Sequence, residues 1–378
     1  MPHDDLILSR YFSDSYQEGR EKLLAACGLA ALDVQSHIHP SLKGPAGEDL
    51  SMDSVWIGPS DAGRVLIFSC GTHGLEAAAG SATMLRWLDT GGPEKVPAGV
   101  AILLVHAVNP YGWAWARRGN EDGIDLNRNF MVGAPPYPAN PAYSDLHPLV
   151  IQAGVDEAGL TEFARPFHEL AATKGLNYAL TGITSGQYEF PDGLSYGGRA
   201  PSWSCETLYR IAHDYLAKAE QILHIDWHTG IGDFGQAHFI LDEPRNSDTY
   251  NLLSRWWPDH DIHCDDVVDG VSIAYNGLLV AGFRQEISTF SNADVLNLTI
   301  EWGTYEVERM LQALLIDNWL IHRARDADAD LVSSLRAQLI ELFYPQSAEW
   351  RRNVLAASEK LYAQAIAGLE SWNAPASA

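Results

Sequence analysis

Residues 101–108 read Ala101-Ile102-Leu103-Leu104-Val105-His106-Ala107-Val108, a strand-length run in which His106 is the single polar side chain. A strand with one face in water alternates apolar and polar side chains. One without alternation is covered on both faces, as in a helix-flanked sheet. Other strand-like runs are found at 55–57, 65–68, 224–228 and just before Glu301, and helical stretches at 75–88, 204–220 and 303–322 separate several of them. This alternation predicts an α/β chain, a three-layer α/β/α sandwich around a mixed, mostly parallel central sheet. Residues 7–31 read as a first helix, and 330–372 as one or two more. Between Met131 and Pro201 the pattern breaks: Pro135, Pro136, Pro138, Pro141 and Pro148 mark a surface excursion. A helix over 160–174 follows, then a glycine-rich loop from Gly182 to Gly198. Irregular stretches of this length are often lids or binding loops. The GxxxxG in that loop lacks the Lys-Ser/Thr that a phosphate-binding loop requires.

The phrase His73-Gly74-Leu75-Glu76 follows the 65–68 strand in a turn that opens a helix, and His228 stands far downstream in Asp226-Trp227-His228-Thr229. A His and a Glu three apart can reach one ion from the same side of the chain. Two histidines and a carboxylate are a catalytic zinc set, which leaves a fourth position for water. His224, Asp226 and His228 share a strand face because side chains alternate with period two. His224 is therefore the rival ligand or a satisfied core histidine. His228 is preferred because it sits at the strand's C-terminal end, where open α/β sheets place their ligands.

Further phrases follow in order: Asn109-Pro110-Tyr111-Gly112, Arg117-Arg118-Gly119-Asn120, Asp125-Leu126-Asn127-Arg128-Asn129-Phe130, and Leu298-Thr299-Ile300-Glu301-Trp302-Gly303-Thr304. With the two ligand phrases, this order resembles the zinc carboxypeptidase (carboxypeptidase A-like) superfamily, and in particular its bacterial branch, over roughly residues 55 to 305. The resemblance implies one zinc per chain, held by His73, Glu76 and His228. It implies Glu301 as general base, Arg118 polarising the scissile carbonyl, and Asn127 with Arg128 holding a substrate carboxylate. Asp125 would orient His73. Chemistry supports each role: a guanidinium forks onto a carboxylate, a metal-bound histidine donates its other N–H to an acid, and a carboxylate beside activated water accepts its proton. Two departures stand out. Leu75 occupies the place of an arginine that helps hold extended peptides in the digestive members. Their mobile tyrosine has no aligned phrase here; Tyr275 lies at the right distance before Glu301, with Tyr188 and Tyr196 also available.

The implied organisation is a carboxypeptidase-like catalytic domain over 1–330, with a loop-rich insertion at 131–201 near the site. A helical C-terminal extension over 331–378 packs on the same domain. The implied activity is zinc-dependent hydrolysis of an amide bond next to a free carboxylate, in a small peptide. The alternative is an N-acyl amino acid deacylase like the aspartoacylases and desuccinylases, which share the ligand and Asp-Leu-Asn-Arg phrases. A non-catalytic zinc-binding protein would lack the base or the oxyanion arginine, and this chain has both.

Composition limits the partners. A net charge of −24, from 25 basic and 49 acidic residues, argues against a nucleic-acid backbone or an anionic membrane surface. Cys27, Cys70, Cys205 and Cys264 show no paired spacing, which points to free thiols in a reducing compartment. No secretory leader and no apolar run of membrane-spanning length is visible, so a cytoplasmic protein is expected. Several of the twelve tryptophans (Trp113, Trp115, Trp203, Trp227, Trp256, Trp257, Trp302) fall near the site phrases, either filling the core or lining an apolar pocket.

Overall fold

The computed structural model describes residues 2–131, 135–264 and 275–372. Eight strands form one sheet: β1 (Val34–Lys43), β2 (Asp49–Ile57), β3 (Arg64–Cys70), β4 (Val100–His106), β5 (Gln221–Gly230), β6 (Ala237–Leu241), β7 (Ile262–Cys264) and β8 (Asp294–Gly303). Their order is β1-β2-β4-β3-β5-β8-β6-β7. The four central strands run parallel, β2 and β6 flank them antiparallel, and β7 runs parallel to β6. The sheet is mixed with a parallel centre, as the uninterrupted apolar runs require.

Alternation along the central strands sends side chains to two cores. Leu66, Phe68, Leu104, Ile225 and Trp227 face the helices Ala77–Asp89 and Ala348–Ser371. Val65, Ile67, Leu103, Val105 and Ile222 face Trp203–Leu216 and Leu279–Ser288 on the opposite side. This is the expected three-layer α/β/α sandwich. The first helix layer lies close to the sheet because its sequence is small. A Cβ placed on Gly80 would stand 2.5 Å from the Cys70 Cβ and 2.9 Å from that of Trp227. Trp113, Trp227, Trp256, Trp257 and Trp302 are buried, and Trp227 stacks on Trp302 at 5.5 Å, so the core reading holds for these, while Trp115 and Trp203 are half-buried.

Several local expectations are corrected. Residues 7–31 form two helices, Pro2–Tyr11 and Tyr16–Leu29. The signal for the break is Ser15-x-x-Glu18: Ser15 Oγ accepts from Glu18 N at 3.2 Å, an N-cap that starts a new helix. Strand β1 was not foreseen, because it is an edge strand with mostly exposed or half-buried side chains and no apolar run. The segment 131–201, expected to be mostly loop, carries three helices: Pro141–Gln152, Glu157–Lys174 and Leu176–Thr184. The prolines misled here. Pro141 occupies a helix start, where its missing N–H costs nothing, behind an Asn140 cap whose Oδ1 accepts from Tyr143 N at 2.9 Å. At the C-terminus two helices, Ala329–Phe343 and Ala348–Ser371, follow the sheet, and residues 373–378 lie outside the described residues. All four cysteines are free thiols. Among the described residues, no helix is long and apolar enough to cross a membrane.

Candidate metal centre

Strand β3 ends at Cys70, and the chain turns through Gly71, at φ +74°, into a short 3-10 helix, Gly74–Glu76. A Cβ on Gly74 would stand 2.0 Å from the Gly112 carbonyl carbon, so only glycine lets this turn sit against the Pro110–Ala114 helix. Gly74 N and Leu75 N donate to the carbonyls of Arg118 and Arg117 at 3.2 and 3.1 Å, which ties the turn to the Arg117-Arg118 phrase. The far partner, His228, comes from β5, one residue past the Cys70↔Trp227 pair and near the strand's C-terminal end.

There His73, Glu76 and His228 meet. One ligand atom of each lies within 4.8 Å of the others, and the three residues are 4%, 2% and 1% exposed. Both imidazoles turn Nδ1 toward Glu76, at 2.8 Å for His73 and 2.9 Å for His228. Both present Nε2 to a carboxylate: Asp125 Oδ1 at 3.1 Å and Asp226 Oδ2 at 2.7 Å. Ligand histidines are fixed in this way, with the outer nitrogen donating to an acid so that the inner lone pair points at the ion. The donor set therefore fits a metal. His224 is not part of it: its Nε2 lies 2.7 Å from Ser69 Oγ and its ring packs on Phe283 at 5.0 Å.

The charges of this cluster are strongly coupled. Burial disfavours ionisation of Glu76, but His73 and His228 outweigh it and hold the carboxyl well below the usual range. For Asp125, burial is likewise outweighed, by Arg118 and His73. Burial opposes charge on His228, yet Asp226 and Glu76 lift it well above an ordinary imidazole. Glu301 goes the other way. Burial, reinforced by the charge of Glu76, raises it to about 7.

Glu301 stands directly across from His228 in the β5–β8 pairing, and its Oε2 accepts from Ile231 N at 3.4 Å. Arg118 pairs with Asp125 Oδ2 through its guanidinium, and its backbone N–H donates to Asp317 Oδ1 at 3.2 Å. Asp125 thus holds His73, Arg118 and the Asn127 amide at once. Asn127 Oδ1 accepts from Leu279 N at 2.9 Å, and the residue is half-buried. Arg128 donates Nε and Nη2 to the Thr184 carbonyl at 2.9 and 2.6 Å, and Nη1 to the Asn127 carbonyl at 2.6 Å. One N–H on each terminal nitrogen is left, an end-on fork suited to a carboxylate. Tyr275, 39% exposed, lies 5.5 Å from that guanidinium. Tyr188 and Tyr196 are buried and serve the backbone: the Tyr188 hydroxyl donates to the Arg128 carbonyl, and the Tyr196 carbonyl accepts from Asp125 N.

Residues 12–357 match the family described as "Protein of unknown function (DUF2817)". The chain belongs to that family. No match to a curated protein was found. Among solved structures, this DUF2817 chain is similar to a carboxypeptidase A from Helicoverpa armigera, at 13% identity over 91% of this chain and 74% of that one, TM-score 0.45. It is similar to a metallo-carboxypeptidase from Pseudomonas aeruginosa, at 13% identity over 85% and 69%, TM-score 0.39. It is also similar to the succinylglutamate desuccinylase from Chromobacterium violaceum, at 15% identity over 89% and 76%, TM-score 0.36.

Sequence reading missed three supports of the DUF2817 site. Asp226 fixes His228 and is itself held by Ser69 Oγ at 2.6 Å and Thr72 Oγ1 at 2.8 Å. Its signal was available: it precedes His228 by two on one strand face. Asp317 and the Thr184 carbonyl gave no local signal, since each meets its arginine only through helix packing.

Proposed function

We propose that this chain is a zinc-dependent metallohydrolase that cleaves an amide bond beside a free carboxylate, in the manner of a carboxypeptidase. The observation that carries the reading is the buried His73–Glu76–His228 group with Glu301 directly across the sheet from His228. His73, Glu76 and His228 would hold the zinc, which when bound would supply Lewis acidity at the site.

The chain's own groups then have defined tasks. Asn127 Nδ2 and the Arg128 fork hold the substrate carboxylate and place the scissile amide. Arg118, fixed by Asp125, faces the carbonyl oxygen and stabilises the charge it gains. Glu301 accepts a proton from the attacking water and delivers it to the departing nitrogen. The C–N bond breaks as the C–O bond forms, giving a carboxylate and a free amine. A raised pKa suits Glu301 to both halves of that transfer.

One observation favours the second reading, deacylation of an N-acyl amino acid. Leu75 is buried under the Ala329–Phe343 helix together with Leu335, Leu339 and Phe343, so chain fills the space beside the ligand turn. A short acyl group needs less room there than a long peptide. Both readings share the carboxylate-bearing product.

The test is Glu301→Gln, which keeps shape but removes the base. It should retain about one zinc per chain by elemental analysis and lose ~10²–10⁴-fold in turnover of dipeptides and N-acyl amino acids. Near-normal turnover, or a wild-type protein that binds no metal, would overturn the reading.

A further inference from the structure

With the substrate carboxylate at Asn127 and Arg128, a placement that rests on the function proposed above, the acyl half must leave the site past the protein around Glu301. Two directions are filled. Along the ligand turn, Leu75 is 5% exposed, and Thr229 Oγ1 donates to the Phe343 carbonyl at 2.6 Å, which seals the Ala329–Phe343 helix onto the end of β5. Toward Arg128, the end of the Leu176–Thr184 helix closes the frame through the Thr184 carbonyl. Beside Glu301, the connection between β5 and β6 remains open: of residues 231–236, all but Gly235 are exposed.

This connection is braced. Gly230, Gly232 and Gly235 take φ values of +138°, +109° and +71°. Ile231 N donates to Glu301 Oε2 at 3.4 Å, Gly235 N to the Gly303 carbonyl at 2.9 Å, and Gly303 N to the Gln236 carbonyl at 3.0 Å. On this backbone Ile231 is 53% exposed and Phe234 36% exposed. The Phe234 ring stands 5.7 Å from Tyr305, which is itself fixed: its hydroxyl donates to Glu341 Oε1 at 2.6 Å and Arg309 covers its face at 4.2 Å. Large apolar side chains kept in water by a backbone bonded to Glu301 mark a place where something apolar binds.

We propose that Ile231, Phe234 and Tyr305 form the subsite for the acyl half of the substrate, and that this half is apolar. Its source is a hydrophobic residue on the amino side of the scissile bond or a hydrocarbon acyl chain. The same surface accepts either, because what Ile231 and Phe234 present is apolar area and shape.

The test uses two substrate series on one carboxylate-bearing amine: N-acetyl, N-butanoyl and N-octanoyl derivatives, and dipeptides with Gly, Ala, Leu or Phe on the acyl side. In the zinc-loaded full chain, kcat/KM should climb ~3-fold or more per added methylene until the subsite is filled. A climb in only one series identifies the source. Ile231→Asn and Phe234→Ser should each shrink the octanoyl-to-acetyl ratio by about tenfold. Leu29→Ser, which alters an exposed leucine on the Tyr16–Leu29 helix, should leave the ratio alone. The ratio is taken within one preparation, so partial misfolding cancels. Hydrolysis in both series with flat kcat/KM, or a ratio that survives both substitutions, overturns the subsite and leaves the hydrolase reading standing. No hydrolysis in either series overturns that reading instead.

Discussion

His73 and His228 are aimed by side-chain acids, Asp125 and Asp226, which are buried and themselves hydrogen-bonded. Arg128 is aimed by main-chain carbonyls, those of Thr184 and Asn127, and is topped by a partly exposed tyrosine. One half of the site is a closed network of charges, in which the two histidines lower Glu76, Arg118 and His73 lower Asp125, and Asp226 with Glu76 raises His228. The other half is a frame of main-chain carbonyls around the Arg128 guanidinium, which Asp125 and Arg118 reach only through space. A charge network tolerates no missing member, because the remainder is left buried and unpaired. A carbonyl frame orients the guanidinium without pairing it directly to a carboxylate, so its remaining N–H groups can be offered to a substrate. On the function proposed above, the difference suits a metal on one side and a substrate carboxylate on the other.

The comparison breaks most sharply at His228. His228→Ala should lower metal affinity by ~10³-fold or more, while His224→Ala, which removes a ring bonded to Ser69 outside the donor group, should keep the metal. Metal content after dialysis against a weak chelator reads the difference. If His224→Ala were the variant that lost metal, the two histidines would exchange roles.

On the other side, Arg128→Lys keeps the charge and loses the fork. It should cost about 2 kcal/mol, ~30-fold in kcat/KM, for substrates with a free carboxylate, with metal content unchanged. Substrates with an amidated carboxylate should be slow for the wild type and little changed by the substitution. Equal cleavage of free and amidated substrates would remove the carboxylate frame from the mechanism.

Asp317 sharpens the contrast through pH. It is 7% exposed, and burial raises its carboxyl to about 6. Its folded pKa is above the unfolded value, so its stabilising contribution is complete below about pH 4 and is lost as pH rises through about 6. Asp317→Asn keeps an oxygen to accept from Arg118 N and removes that loss. Relative to wild type it should gain up to about 2 kcal/mol between about pH 4.5 and pH 8, read by denaturant melts at both values. A gap that does not widen with pH would show that Asp317 ionises without cost.

The smallest effect is expected at Gly186, at φ +88°, where a Cβ would stand 2.7 Å from Arg128 Cδ. Gly186→Ala should strain the loop and tilt the guanidinium, raising KM for carboxylate substrates several-fold while kcat falls less. An unchanged KM would mean the frame relaxes without moving the fork.

What the chain's sequence determined by itself is local. The unbroken apolar run of β4 demanded a two-sided sheet, and the small residues after Glu76 allowed a helix to lie close on it. The His73–Glu76 pair and His228 could be picked out by residue type, spacing and place on a strand, whereas the Asp125–Arg128 phrase and Glu301 were legible only through the family resemblance, which rests on the order of several short phrases. Where prolines were read as loop, Asn140-Pro141 was a helix start, and the distinction turns on whether a cap is present. Tertiary structure decided the rest. Glu301 faces His228 only because β8 pairs with β5 in one register, and a slip of one residue would send the carboxylate to the opposite face. Asp226 serves His228 because Ser69 and Thr72, from β3 and the turn after it, complete its bonds. Arg128 owes its direction to a carbonyl 56 residues away, at the end of the Leu176–Thr184 helix. Every backbone carries carbonyls, so no residue type announces which of them will bind an arginine. That choice is made when helices pack, by buried area and shape summed over many side chains.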